Sequence, residues 1–227
     1  PYFYTEGWTN FFVSSLKEKS FYGSKNEAWL SADAFISPGE LNVQGFLSND
    51  ASTFYNTIKN QNPINFKDAF NLLPYNTLQL QALSISKYHQ FIENSYSNNI
   101  EKRKQDLQVY TDKINADAQI EIEKFIGDYA VLFSAKCADG ENEYGLINTT
   151  ENELATGFLK VISDSTFQTT DSITVYSNES GNIFSNLCGR FFTNSFKYAT
   201  SIENAILFSN ELTALSNFRQ TVSEKNN

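Results

Sequence analysis

The sequence predicts an α+β fold of two similar halves, each a mainly antiparallel sheet with helices packed on one face. Three observations lead there. First, one unit recurs four times: a short apolar strand that stops at Ser or Asn and turns into a helix. It is clearest at Ala205-Ile206-Leu207-Phe208-Ser209-Asn210-Glu211. It returns at Gly45-Phe46-Leu47-Ser48-Asn49-Asp50, at Thr174-Val175-Tyr176-Ser177-Asn178-Glu179 and, more loosely, from Gly145 to Glu151. β-Branched and aromatic residues suit a pleated, buried segment. The Ser or Asn that follows accepts from free N–H groups of a first helical turn, and an acid there suits the helix dipole. Second, strand-length apolar runs alternate with stretches of helical period. Third, Ser37-Pro38-Gly39-Glu40 and Asp139-Gly140 carry turn chemistry between neighbouring strand-like runs.

Taken in order, Trp29 to Phe35 and Leu41 to Leu47 read as a hairpin across Pro38-Gly39, where Pro presets the first turn position and Gly supplies positive φ. A helix with Phe54, Tyr55 and Ile58 on one face follows and ends at Asn62-Pro63. Phe66, Ala69, Phe70 and Leu73 make a short helical turn before Pro74. Leu78 to Ile85 alternates apolar residues with Gln79 and Gln81, a strand with a wet face. Tyr88, Phe91, Ile92, Tyr96 and Ile100 fall at helical spacing, as do Ile114, Ala118, Ile122 and Phe125, with Gly127 as the stop. Tyr129 to Phe133 is a core strand and Tyr144 to Ile147 its return. Thr150 and Glu153 form a capping box for a helix carrying Leu154, Phe158, Leu159 and Ile162. Ile173 to Tyr176 is a strand, and Ile183, Phe184, Leu187, Phe191 and Phe192 line a helix. Ala205 to Phe208 is the last strand, and Leu212, Leu215 and Phe218 the last helix. The halves divide near residue 110, giving residues 1–110 and 111–227. No Pro- or Gly-rich linker separates them, so one continuous unit is expected.

The 227 residues are 41% hydrophobic and 15% aromatic, enough for a packed core rather than disorder. The formal charge of −9 argues against a nucleic-acid partner, which wants a basic stripe. The one basic cluster, Lys102-Arg103-Lys104, sits between Glu101 and Asp106 and reads as a solvated helix face. No apolar run approaches a membrane span. The absence of Met, and a last helix that runs into the final residues, point to a fragment of a longer chain.

Catalytic inventory is thin. His89 is the single histidine, so a Ser-His-Asp site would have to be built on it. No nucleophile elbow, phosphate loop or dinucleotide fingerprint is present. Asp139, Glu141 and Glu143 cluster on an expected hairpin tip, where carboxylates are ordinarily just solvated; paired acids for glycoside cleavage or oxygen ligands for calcium are the chemical alternatives. No catalytic residue, cofactor or metal ligand is assigned. Cys137 and Cys188 read either as a disulfide, worth about 3–4 kcal/mol in the chain-entropy model, or as two buried thiols. Tyr2, Tyr4, Trp8 and Trp29 are the aromatic residues that would form a platform for sugars, against a plain packing role.

The run Trp29-Leu30-Ser31-Ala32-Asp33, Gly45-Phe46, Gln61-Asn62-Pro63 and Leu72-Leu73-Pro74-Tyr75-Asn76-Thr77 resembles an uncharacterised family of Bacteroidetes cell-envelope proteins with a repeated domain of unknown function. Phe125-Ile126-Gly127, Ala130-Val131-Leu132 and the stretch from Ala205 to Glu211 extend the resemblance over most of residues 29–220. It implies an extracytoplasmic place, in the periplasm or at the outer membrane, and attachment only through a lipid anchor outside this stretch. It implies other envelope proteins as partners and brings no catalytic residues. Ser165 and Ser172 match the short O-glycosylation pattern of such organisms. The expected function is a non-catalytic envelope module acting through protein–protein contacts, such as an accessory subunit of an outer-membrane assembly. The alternative is a glycan- or small-ligand-binding module.

Overall fold

The computed structural model describes the backbone of residues 2–4, 29–37 and 40–48, and further on residues 57–58, 60–64, 66–96, 100–137, 140–168, 173–189 and 191–225. The chain divides into two compact units, Pro1–Asn56 and Thr57–Asn227.

The first unit holds a three-stranded antiparallel sheet of β1 (Tyr2–Tyr4), β2 (Trp29–Ser37) and β3 (Glu40–Ser48), in that order. Ser37 pairs with Glu40, so the hairpin closes through two residues, as the Pro-Gly pair predicts. The conformation of Pro38 and Gly39 lies outside the described residues.

The second unit is built on one seven-stranded sheet. Its strands are β4 (Thr77–Ser84), β5 (Ile126–Cys137), β6 (Gly140–Thr149), β7 (Ser165–Gln168), β8 (Thr174–Ser177), β9 (Tyr198–Ile202) and β10 (Ala205–Ser209). Their order is β4-β5-β6-β10-β9-β8-β7, with every neighbouring pair antiparallel. Seven helices are described: α1 (Lys67–Leu72), α2 (Tyr88–Ser95), α3 (Ile100–Ile114), α4 (Ala118–Glu123), α5 (Asn152–Ile162), α6 (Ile183–Leu187) and α7 (Leu212–Lys225). None of the described helices is long and apolar enough to cross a membrane.

The α+β class and the antiparallel sheet are as the sequence predicts. The placement of helices on one face is not. Side chains alternate along a strand, and here both faces are covered. Ala130, Leu132, Ile147, Ile206 and Phe208 point into a core built with residues of α2 to α6. Tyr129, Val131, Phe133, Tyr144, Leu146, Ala205 and Leu207 point into a second core with Ala69 and Leu72 of α1 and Ala214, Leu215 and Phe218 of α7. The unbroken apolar run from Tyr129 to Phe133 is the sequence trace of this double burial.

The boundary near residue 110 is also corrected. Residue 110 lies inside α3. β4, from the first expected half, is hydrogen-bonded to β5, from the second. Strand pairing therefore crosses the expected division, and the compact units part after Asn56 instead.

Smaller differences have local causes. The two long helices expected between Tyr88 and Phe125 are three. Asn115 takes a left-handed backbone, φ 53°. Asp117 then caps α4 by accepting from the N–H groups of Gln119 and Ile120 at 2.9 and 3.3 Å. Gly127 does not stop a helix; it lies inside β5, at a register shift between Ile126 and Ala130. The cap of α5 is Glu151 without a side-chain bond, not the Thr150 box.

Candidate functional site

At one end of the seven-stranded sheet, strand termini and helix ends enclose an open cleft of about 920 Å³. The floor comes from Ile126 to Tyr129, which open β5, and from Asn148 and Thr150 at the end of β6. Asn148 ties the floor together. Its Oδ1 accepts from the Asp128 N–H at 3.1 Å, and its Nδ2 donates to the Asn204 carbonyl at 3.0 Å. The Thr149 N–H donates to the same carbonyl at 2.8 Å, and the Ile85 N–H donates to the Asp128 carbonyl at 2.7 Å. Tyr129 stands beside Asn148, and burial pushes its hydroxyl up to about 12.

The rim is acidic. Asp68 comes from α1, Glu123 from the end of α4, Asp128 from β5 and Glu203 from the turn between β9 and β10. Glu203 holds a left-handed backbone, φ 41°. Among the described residues that line the cleft there is no Lys or Arg, and the basic group present is His89 on α2. His89 Nδ1 lies 2.9 Å from Glu123 Oε1, and Nε2 lies 3.3 Å from Glu93 Oε1. The hydrogen bond to Glu123 raises the imidazole above its usual value, against a small opposing effect of burial. When the ring is protonated, each nitrogen can donate to a carboxylate, Nδ1 to Glu123 and Nε2 to Glu93.

A polar relay runs inward from this point. Glu123 Oε1 accepts from Gln119 Nε2 at 2.8 Å. Gln119 Oε1 accepts from Nε and Nη2 of Arg103 at 2.9 and 2.7 Å. Arg103 is only 2% exposed. It also donates to the Asn186 carbonyl at 2.5 Å and to the Tyr88 hydroxyl at 3.4 Å, and its guanidinium lies 5.4 Å from the centre of the Tyr96 ring. Arg103 is thus no part of a solvated basic face: it pins α2, α3, α4 and α6 together. The signal was the spacing. Arg103, Leu107 and Tyr110 stand at i, i+4 and i+7, one face of α3, and all three are buried. Lys102 and Lys104 do face outward, paired with Asp106 and Glu101.

The remaining sequence candidates scatter. Glu141 and Glu143 lie at the opposite end of β6 from Asn148, and Glu143 accepts from Asn194 at 2.9 Å; Asp139 lies outside the described residues. Among the described residues no three His, Cys, Asp or Glu side chains are placed to hold a metal ion. Cys188 is a free thiol, fully buried beside α6 and pushed up by that burial. For this cysteine the bridged alternative gives way to the buried thiol; Cys137 closes β5, and its side chain lies outside the described residues. Tyr4 pairs with Trp29 and Tyr2 with Ser31 in the first sheet, by backbone register. Trp8 and Ser172 lie outside the described residues, and Ser165 is exposed at the start of β7.

Compared with family models, curated proteins and solved structures, the chain matches none.

Proposed function

We propose that this chain is a non-catalytic binding module of the cell envelope, and that its working site is the acidic cleft. The occupant is a cationic group, an ammonium or a guanidinium, either on a small ligand or on a Lys or Arg side chain of a partner protein. One observation carries this: the described residues of the cleft present Asp68, Glu123, Asp128 and Glu203 and include no Lys or Arg. Like charges gathered in a concave site raise the local concentration of counter-charge. The pairing of His89 with two carboxylates is in keeping with a site that holds a cationic group. The envelope setting rests on the family resemblance. The test is calorimetric titration with Nα-acetyl-lysine methylamide and with its uncharged norleucine counterpart. The lysine compound should bind, and each of Asp68→Asn and Glu203→Gln should weaken it about two- to fivefold, the value of an exposed charge pair. Equal binding of both compounds would sink the reading. Comparing a free diamine with a lysine-bearing peptide then separates the two sources of cation.

A second reading, contact with a partner's extended strand, is favoured by β4. It is an edge strand of the sheet, it has no charged residue and no Pro, and it leaves Leu78 and Leu80 54% and 40% exposed. Edge strands ordinarily carry charges or Pro against such pairing. Here a Leu80→Lys variant should lose a partner that co-purifies from native membranes in mild detergent. Retention of that partner would count against strand addition.

A repeated origin for the two hairpins belongs with this reading. β2–β3 and β5–β6 keep one register when shifted by one hundred residues: Gly45 faces Ala32, and Gly145 faces Leu132.

A further inference from the structure

We propose that His89 is a built-in occupant of the acidic cleft, a cation supplied by the chain itself, which makes binding of an external cation depend on pH. This rests on the cleft reading above and adds its regulation. The geometry is that of an occupied site. The imidazole sits at the rim with one carboxylate on each nitrogen, Glu123 at 2.9 Å and Glu93 at 3.3 Å. Glu123 is held from behind by Gln119, which is itself held by Arg103, so the carboxylate stays in place when the histidine leaves it. The side chain of His89 is 67% exposed, so its outward side faces solvent rather than packed protein. Among the described residues, the charged groups that face this space are Glu93 on its own helix, Glu123 from α4, Asp68 from α1, Asp128 from β5 and Glu203 from the β9–β10 turn. Lys124 is turned to Glu121 at 2.6 Å and does not compete for Glu123.

While His89 carries its proton, it neutralises part of the cleft and holds Glu123. When it loses the proton, the cleft gains one net negative charge and the remaining N–H can hold only one of the two carboxylates, which leaves more negative charge for an external ammonium or guanidinium. Affinity for such a cation therefore rises as pH passes upward through the titration of His89. By reciprocity, a bound cation must favour the deprotonated ring by the same factor.

The chain has one histidine, so its imidazole signals in an NMR titration need no assignment by mutation. The experiment follows those signals with and without saturating Nα-acetyl-lysine methylamide, beside calorimetry of the same probe from about pH 5.5 to 9, around the range in which histidine titrates. The expected result is affinity that rises about two- to fivefold across the titration, the value of one exposed charge pair, with the midpoint of His89 moved to lower pH by the probe. His89→Gln should bind the probe with no such step. Binding that is constant across the titration, with an unmoved midpoint, overturns the role of His89 and leaves the cleft reading standing. Failure of both the native chain and His89→Gln to bind at any pH overturns the cleft reading itself.

Discussion

A β-carbon on Gly127 would fall on top of Oδ1 of Asn148, well inside contact distance. The obstacle is a hydrogen-bonded amide rather than the end of a flexible chain, because that oxygen already accepts from Asp128 and its partner nitrogen donates to Asn204. Gly127→Ala must therefore push Asn148 out of the cleft floor. A cost of about 1–3 kcal/mol is expected, as for other forced overpacking, together with loss of cation binding, measured by urea unfolding and calorimetry. Unchanged stability and binding would mean that the floor is more pliable than this close approach implies.

Arg103 buries its charge among neutral partners. Arg103→Ala leaves Gln119 and the Asn186 carbonyl without their donor and opens a cavity between four helices. We expect a loss of about 2–4 kcal/mol, from stranded acceptors and lost packing together. Arg103→Met refills the volume and should recover part of that loss. Chemical unfolding of the two variants separates the packing share from the polar share.

The centre of the larger core is aromatic. Phe184 stacks on Phe192 with centroids 5.6 Å apart and meets Phe196 edge-on at 5.2 Å. Its ring also lies over Gly145, where a β-carbon would come within 2.6 Å of Cε2. Phe184→Ala should cost about 3–5 kcal/mol. Gly145→Ala should also destabilise, since its obstacle is a ring packed on three sides. The informative measurement is the double variant: Phe184→Leu with Gly145→Ala should be better tolerated than the sum of the two, because the smaller side chain clears the new methyl.

Acid should loosen one corner early. Asp164 accepts from the Glu179 N–H at 2.8 Å and from Lys113 at 3.0 Å, and these hold its carboxyl below the usual range. A depressed folded-state pKa contributes stability that is present above the ordinary aspartate value and is lost as pH falls through the folded one. Asp164→Asn should thus narrow the stability difference from the native chain below about pH 4 and leave it widest near neutrality. His89 has the opposite sign. Its raised value contributes stability below about pH 6.5 that is lost as pH rises through the folded value, a small effect for so exposed a pair.

Cys188 should resist alkylation in the folded chain and react, without reductant, once the chain is unfolded. Intact mass under both conditions checks this. A Cys188 that stays unlabelled in denaturant would restore the disulfide.

Much of the fold was legible because local chemistry and final structure agree. Ser37-Pro38-Gly39-Glu40 closes a hairpin, and the apolar strands centred on Val131, Leu146, Val175 and Leu207 are where period and residue type place them. β7 and β9 were missed because Ser165-Thr166-Phe167-Gln168 is short and largely polar and Tyr198-Ala199-Thr200-Ser201-Ile202 is short and mixed; pairing with β8 and β10 makes them strands. The cleft was less legible still. Its floor and rim come from five separated stretches between Asp68 and Asn204, and no spacing along the chain announces that they meet.

The sequence by itself determined most of the longer strands and helices, the antiparallel character of the sheet, and a net charge of −9. These follow from residue type, period and turn chemistry, which act between near neighbours. The tertiary structure alone decided that both faces of the sheet are covered and that the chain divides after Asn56. It decided that Arg103 is buried rather than solvated, and that His89 lies between Glu93 and Glu123. Those outcomes depend on pairing across long loops and on which polar groups find partners when water is excluded; local runs carry only traces of them, such as the apolar stretch from Tyr129 to Phe133 and the spacing of Arg103, Leu107 and Tyr110.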